Sequence, residues 1–254
     1  NYGVEGCKAA VSFLKELRKM LGWDNSTGFM QTKWDGAPSV ICGTDPNSGM
    51  FFVGTKSVFA KTPKICYTDY DVDLYYEGDL AEKLKFSLKY FSGLGITGIV
   101  QGDLLYTNDL KQEVVHGERL YTFTPNTITY GIPIDHPIGI AAGRSKIGVV
   151  FHTHYRGDDF QTMQAVAGAK VTGSIDALCI KNDTPMNSVG LNHTEEAKFD
   201  KYVSDIERMC RACGDFLNEL TTLSGSTGDA KWHVSSYLKQ FFNDQIKKSI
   251  SITN

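Results

Sequence analysis

The sequence predicts an α+β protein in which amphipathic helices flank a set of short strands. Apolar residues recur at helical spacing over residues 3–21 and 79–92, and again beyond residue 195. Shorter apolar runs, bounded by glycine, proline and asparagine, predict strands between the first and the last of these helices. The predicted strands cover residues 39–43, 50–54, 98–105, 147–155 and 175–181.

The connecting segments give further expectations. The first helix should end before Gly22 and pack on the outside of the sheet. Residues 108–146 contain proline-bearing segments, which are typical of extended chain broken by turns. The alanine-rich stretch over residues 161–170 predicts a short helix.

At about residue 195 the sequence pattern changes from short apolar runs to long stretches with apolar residues at helical spacing. This change predicts a first domain over residues 1–194 and a helical C-terminal subdomain over residues 195–254. An apolar stripe at helical spacing runs from Phe199 to Leu220. The Ser-Gly-Ser-Thr-Gly segment at 224–228 predicts a flexible joint, and a second helical pattern follows over 230–248. No series of five short strands suggests an OB-fold there.

Composition and charge are those of an ordinary globular protein. Of 254 residues, 41% are apolar and the formal net charge is −3, so any polynucleotide surface is expected to be a local patch. Cys210 and Cys213 form a lone C-x-x-C in a helical pattern, which favours buried thiols over zinc. We find no signal peptide and no apolar run of transmembrane length, and expect a cytoplasmic protein, in the host cytoplasm if viral. The absence of an initial methionine and the abrupt Ser-Ile-Thr-Asn end suggest a fragment or the ordered part of a longer protein.

A lysine, an acid and a glycine precede the first predicted strand, in the tetrapeptide Lys-Trp-Asp-Gly at residues 33–36. This tetrapeptide resembles the Lys-x-Asp-Gly signature of covalent nucleotidyltransferases, the superfamily of DNA ligases, RNA ligases and mRNA capping enzymes. The resemblance implies that Lys33 attacks the α-phosphate of a nucleotide and carries the nucleoside monophosphate as a phosphoramide. On the tetrapeptide alone, an Asp-Gly surface turn is an alternative. The resemblance also implies nucleotide contacts from Gln31, Thr32, Asp35 and Gly36.

Later segments follow in the order that this superfamily shows. A Thr-Lys pair ends the strand at 50–54 and implies that Lys56 contacts phosphate, although lysine stands where arginine is usual. Asp103 stands in a Gly-Asp pair similar to the family's Gly-Glu element, and is expected to contact the ribose or a metal. Phe151 lies in a short aromatic strand and is expected to stack on the base. Strand alternation would group Phe151 with Thr153 and Tyr155, opposite His152 and His154.

The strand over residues 175–181 is similar to the acid-Gly-apolar-apolar-apolar-Lys strand of ligases, with alanine in place of glycine. The resemblance implies that Asp176 binds the catalytic divalent metal together with Asp103, and that Lys181 approaches phosphate. Lys198 lies at a plausible distance for a further phosphate-binding lysine. It begins a helical stretch, however, whereas the family's lysines lie on a strand.

These segments together predict a ligase-type nucleotidyltransferase domain, with antiparallel sheets flanked by helices and a small helical appendage of the RNA-ligase kind. The resemblance implies ATP and Mg²⁺ or Mn²⁺ as cofactors, a lysyl-AMP intermediate, and adenylation of a 5′-phosphate. The expected partner is therefore an RNA or DNA with 5′-phosphate and 3′-hydroxyl ends. Pro38 stands where arginine is common, which favours a divergent RNA-ligase-like protein, such as a viral one, over a conventional DNA ligase.

Three alternatives stay open. The same chemistry can serve another acceptor, as in mRNA capping. A nucleotide-binding or structural module with this fold and no turnover is favoured by aspartate at both acidic positions and by the missing arginine. His152 and His154 form a His-x-His pair that suits a metal, but with no third ligand in view we prefer two ordinary strand histidines.

Overall fold

The computed structural model describes residues 2–22, 30–182, 190–227 and 230–248. The chain forms two compact units, which we call the sheet unit, residues 31–183, and the helical unit, residues 1–30 together with 184–254. The fold class is α+β with mainly antiparallel sheets, as the sequence predicts. Within the described ranges, no helix combines the length and the apolar character that crossing a membrane requires.

Helices and strands are interspersed along the described residues, and the longest run of one kind there is the four strands over residues 99–133. In chain order they are α1 (Gly3–Leu21), β1 (Ser39–Thr44), β2 (Phe51–Gly54), α2 (Asp69–Tyr75), α3 (Gly78–Phe91), β3 (Ile99–Tyr106), β4 (Lys111–Val115), β5 (Glu118–Phe123), β6 (Tyr130–Pro133), α4 (Pro137–Arg144), β7 (Ile147–Arg156), β8 (Gln164–Ala167), β9 (Ala177–Cys179), α5 (His193–Ala212), α6 (Gly214–Thr222), β10 (Ser224–Thr227), β11 (Ala230–His233) and α7 (Val234–Lys247).

The main sheet of the sheet unit has the strand order β2-β1-β3-β7-β8, and β9 pairs in parallel with the other end of β7. One face packs against α3 through alternate residues of β1, β3 and β7, since successive side chains of a strand point to opposite faces. That face contributes Val40, Val100, Leu104, Val149 and Phe151 to a cluster with Leu84 and Phe91 of α3. Burial of this cluster is the main apolar contribution to the unit.

The opposite face of the main sheet packs in two places. Near β2, Ile41 and Ile99 join a cluster with Phe52 and Phe160. Near β7, a second cluster includes residues of the three-stranded sheet β4-β5-β6. Its buried members are Leu105, Tyr106, Phe123, Ala142, Val150 and Ile180.

A β-bulge in β7 changes which residues share a face of the main sheet. Phe151 pairs with Gly102 of β3, and Thr153 pairs with Gln101, so His152 has no partner on β3. Since Gly102 and Gln101 point to opposite faces, Phe151 and Thr153 do as well. The predicted grouping of Phe151 with Thr153 and Tyr155 is therefore wrong, because one extra residue breaks the alternation.

In the helical unit, α1 contacts both α5 and α6, and a small core of Val11, Val203 and Cys210 joins α1 to α5. The sequence predicts that α1 packs on the sheet, whereas its observed contacts are with α5 and α6. Cys7 and Cys210 are joined as a disulfide between α1 and α5, and Cys213 is exposed. The expectation of buried free thiols at the C-x-x-C is thus wrong, because its two cysteines face different surroundings across the end of α5.

Candidate functional site

Lys33 and Asp103 line one cavity of 320 Å³ in the sheet unit, which we call the Lys33 cavity. The cavity lies beside the β3–β7 pair, where Asp103 stands opposite Val150. The sequence places these two residues in separate motif segments, and the structure brings them together. The lining consists of Gln31, Thr32, Lys33, Trp34, Asp103, Val150, His152 and Asn182.

The segment that carries Lys33 is held by the chain that follows β9. The Thr32 backbone N–H donates to the Asn182 carbonyl at 2.8 Å, and Gln31 Nε2 donates to Asn182 Oδ1 at 3.2 Å. Asn182 is 5% exposed, so its end of both bonds is shielded from water. Gln31 and Thr32, expected to contact a nucleotide, therefore also fix the approach to Lys33.

Gly36 allows the Lys33 segment to lie directly on β3. A side-chain Cβ at this position would stand 2.6 Å from Asp103 Cβ and 2.8 Å from the Leu104 carbonyl oxygen, closer than atoms pack. Ala37 and Pro38 then join β3 through hydrogen bonds with Leu104. The glycine is thus explained by close approach to β3, and it places Lys33 near Asp103.

Trp34 anchors the same segment on its other side. Its ring lies 4.9 Å from the Tyr130 ring, centroid to centroid, and packs on the apolar cluster shared with the small sheet. The indole Nε1 is buried and has no acceptor among the described residues, so the contacts seen for this side chain are those of ring packing.

Asp35 is engaged within the protein. Its carboxylate accepts hydrogen bonds from the Thr127 hydroxyl and amide, from Asn126 Nδ2 and from the Ile128 amide. The Thr127 hydroxyl, and after it the other donors, hold the pKa of Asp35 well below its usual range. Asp35, expected to contact a nucleotide, thus fastens the Lys33 segment to the turn before β6.

Replacing Asp35 with alanine should lower the melting temperature at neutral pH, and by more than Asn126→Ala, which removes one of the four donors. Because the folded pKa of Asp35 is depressed, its stabilisation is complete above the ordinary aspartate pKa of about 3.9. It declines as the pH falls below that value toward the lower folded pKa. Thermal melts from pH 7 to pH 2 test this: a wild-type advantage that does not shrink in acid contradicts the assignment.

Asp103 and His152 approach each other at the edge of the Lys33 cavity. His152 Nε2 lies 3.5 Å from Asp103 Oδ1, and both side chains are mostly buried. The bulge in β7 produces this approach, because it leaves His152 unpaired next to the Phe151–Gly102 pair. His154 does not join this pair. Its Nδ1 forms a hydrogen bond with the Gly168 carbonyl, and its Nε2 accepts one from Arg156 Nε.

Phe151 and Lys181 line a second cavity, of 440 Å³, together with Lys170, Thr172 and Asn182. Asn182 is therefore part of both cavities. Phe151 is 3% exposed and its ring packs at 5.5 Å from that of Phe91, so it is chiefly a core residue. Burial raises the pKa of the neighbouring Cys179 thiol to about 12, which keeps it protonated at neutral pH.

The structure does not bring Asp176 to Asp103. The Asp176 carbonyl accepts from the amides of Lys146 and Ile147 at the start of β7, whereas Asp103 is level with Val150. Ala177 pairs with Ile147, so Asp176 is level with Lys146. That level is four residues, or about 13 Å, along β7 from Val150, and β7 lies between Asp176 and Asp103. One ion cannot contact both carboxylates in this arrangement, so the expected metal pair does not fit.

The two other predicted phosphate contacts lie elsewhere. Lys56 is exposed in a single 3₁₀ turn after β2, two strands away from β3. It lies outside the lining of both cavities. Lys198 is exposed in α5 and belongs to the helical unit.

His152 and Asn182 belong to the site although the sequence does not predict them there. Strand periodicity treats His152 as an ordinary strand position, and its contact with Asp103 depends on a bulge that periodicity does not reveal. Asn182 directly follows Lys181, a predicted site residue, so its position next to that lysine could have indicated that it belongs to the site. Its bonds to Gln31 and Thr32, 151 residues earlier in the first case, depend on the tertiary fold.

The fold and the site define an α+β protein in which two strands of the main sheet and the segment before β1 place an aspartate, a histidine and a lysine around one cavity. The chain belongs to the family of unknown function DUF6267, which matches it over residues 1–254. No curated protein and no solved structure matches the chain. The chemistry of the site is therefore the basis for a functional proposal.

Proposed function

We propose that this protein is an ATP-dependent nucleotidyltransferase of the ligase type, with Lys33 as the nucleophile. The sheet unit is the nucleotidyltransferase domain in this proposal. The observation that carries it is the Lys33 cavity, where the lysine of the Lys-x-Asp-Gly tetrapeptide lies with Asp103 of the Gly-Asp element. Two segments that resemble motifs of one superfamily thus share a cavity.

A third motif segment supports the same proposal. Lys181 and Asn182 follow β9, and the Asn182 carbonyl accepts from the Thr32 amide just before Lys33. Lys181 and Lys170 line the neighbouring 440 Å³ cavity, which is large enough for part of a nucleotide and offers positive charge to an anion. Asn182 separates the two lysine-lined spaces.

In the proposed reaction, the Lys33 amine attacks the α-phosphorus of ATP. A nitrogen–phosphorus bond forms, the bond from that phosphorus to the oxygen bridging to the β-phosphate breaks, and pyrophosphate leaves. The amine proton passes to solvent or to an acceptor in the cavity. The lysyl-AMP then transfers its adenylate to a 5′-phosphate of RNA or DNA, from which a 3′-hydroxyl displaces AMP in sealing.

A rival proposal is a module of the same fold that binds a nucleotide and does not transfer it. The observation that favours it is the separation of Asp176 from Asp103, since the carboxylate pair expected to hold the metal is not assembled. Phe151 is also buried against Phe91, which leaves little ring surface for stacking. Transfer to a different acceptor, as in capping, keeps the first proposal's chemistry.

Incubation with ATP labelled at the α-phosphate, in Mg²⁺ or Mn²⁺, separates these proposals. A phosphoramide predicts label that survives denaturation, is lost in acid and is released by hydroxylamine. A reversible nucleotide-binding module predicts saturable binding by filtration and no label after denaturation. The second pattern would refute the transferase proposal.

A further inference from the structure

Asp103 and His152 lie farther apart than a direct hydrogen bond between an imidazolium and a carboxylate would place them. A charge-assisted hydrogen bond between an imidazolium and a carboxylate measures about 2.7–2.9 Å, whereas Nε2 and Oδ1 are 3.5 Å apart. Two donor atoms bound about 2.1 Å from one tetrahedral ion are about 3.4 Å apart. The observed spacing therefore fits two ligands of one ion better than a hydrogen-bonded pair.

The orientation of the His152 ring fits the same role. His152 Nδ1 forms a hydrogen bond of 2.8 Å with the Thr153 hydroxyl, and Nε2 is the nitrogen nearest to Asp103. In the tautomer in which Nδ1–H donates to Thr153, Nε2 presents its lone pair toward the cavity. A ligating histidine is commonly fixed in this way by a bond from its second nitrogen.

We infer that Asp103 and His152 form a binding site for a divalent transition-metal ion at the wall of the Lys33 cavity. Among the described residues, no group of three or more histidine, cysteine or acidic side chains is arranged to hold an ion alone. Two protein ligands leave open positions, which water or a phosphate oxygen would fill in a cavity of 320 Å³. An ion bound there is held by the protein and exposed to a ligand.

The donor set selects the class of ion. One imidazole nitrogen and one carboxylate oxygen suit Mn²⁺, Co²⁺ or Zn²⁺, whereas Mg²⁺ prefers oxygen ligands and octahedral geometry. His154 is not expected to bind this ion, because its two ring nitrogens are occupied by Gly168 and Arg156. Asp176 is not expected to bind it either, because the strand register separates Asp176 from Asp103.

Any use of this ion in nucleotide transfer rests on the proposed function, but its binding does not. In the transfer reaction, an ion beside Lys33 would offset negative charge on the phosphates. Titration with the metal alone, in the absence of ATP, therefore tests the site separately from the reaction.

The experiment is a titration of the full chain, stripped with chelator, with Co²⁺ alone, followed by visible absorption and by calorimetry. The wild type should bind one ion at this site with a d–d spectrum. His152→Gln should weaken the affinity for Co²⁺ more than about tenfold, which is the smallest loss typical of mutating a residue that only contacts a metal ligand. His154→Gln and Asp176→Asn should leave it unchanged.

Circular dichroism should show that His152→Gln is folded, and Asp103→Asn provides a second test of the same pair. Absence of Co²⁺ binding to the wild type would overturn the inference. So would equal binding by wild type and His152→Gln, or a loss in His154→Gln as large as that in His152→Gln. If any of these results is found and ATP still labels Lys33 covalently in Mg²⁺, the metal site is refuted and the transferase proposal is not.

Discussion

Lys33→Ala is expected to abolish covalent labelling by ATP while leaving the protein folded. The substitution removes the attacking amine, and no other group in the proposed reaction can form the phosphoramide. Lys33 is exposed, so little packing is lost and the stability should change by no more than about 0.5 kcal/mol. Gel autoradiography after denaturation measures the label, and circular dichroism measures the fold.

Two further variants sharpen the Lys33 experiment. Lys33→Arg should also fail to label, because a guanidinium stays protonated and cannot attack phosphorus. Lys111→Ala, at an exposed lysine of β4 outside both cavity linings, should label like the wild type. Undiminished label on Lys33→Ala would remove Lys33 from the mechanism.

Phe151→Ala is expected to cost about 3–5 kcal/mol of unfolding free energy, which is the usual range for deleting a buried phenyl ring. Phe151 is 3% exposed, packs against Phe91 and covers Gly102, where an added Cβ would meet the ring at 2.8 Å. Phe151→Leu keeps most of the apolar volume and should lose much less. Urea denaturation monitored by circular dichroism provides the two values.

Tyr70→Ala is a suitable control, because Tyr70 is 75% exposed on α2 and its removal should change stability little. The base-stacking role expected from the sequence makes a different prediction. If Phe151 mainly stacks on a nucleotide base, Phe151→Ala should unfold at nearly the wild-type urea concentration and bind ATP more weakly. That outcome would contradict its assignment to the core.

Strong periodicity predicts the elements that local sequence determines. The helix over residues 3–21 and the five predicted strand regions are confirmed within a few residues. The predicted helix over 161–170 is wrong, because β8 forms there by pairing with β7, and pairing outweighs the helix propensity of alanine. Helix α2 is absent from the predicted elements, although Thr68 and Asp71 form a capping box at its start.

Tertiary pairing also changes the C-terminal region. The predicted flexible joint at 224–228 contains β10, which pairs with β11 as a hairpin; Gly228 itself lies outside the described residues. The predicted division at residue 194 keeps α1 with the sheet, whereas the contacts place α1 with α5 and α6. Amphipathic periodicity shows that a helix has an apolar face, but it does not show which helix or sheet packs against that face.

The candidate site shows the same limit. Lys33 and Asp103 are predicted members of one site, and they line one cavity. His152 joins them through a bulge, and Asn182 through hydrogen bonds to residues far away in sequence. The resemblance pairs Asp176 with Asp103, but strand register sets it at another level of the sheet. Register is a property of paired strands, so no single segment encodes it.

Whether Lys33 is the nucleophile can be decided by a peptide map of the protein after incubation with ATP and Mn²⁺, by mass spectrometry at neutral to basic pH. If Lys33 attacks the α-phosphorus, the map contains one nucleoside monophosphate adduct, on the peptide that carries Lys33, and fragmentation assigns it to the lysine side chain. An adduct on any other residue, or none under conditions in which ATP binds, would contradict the proposed reaction.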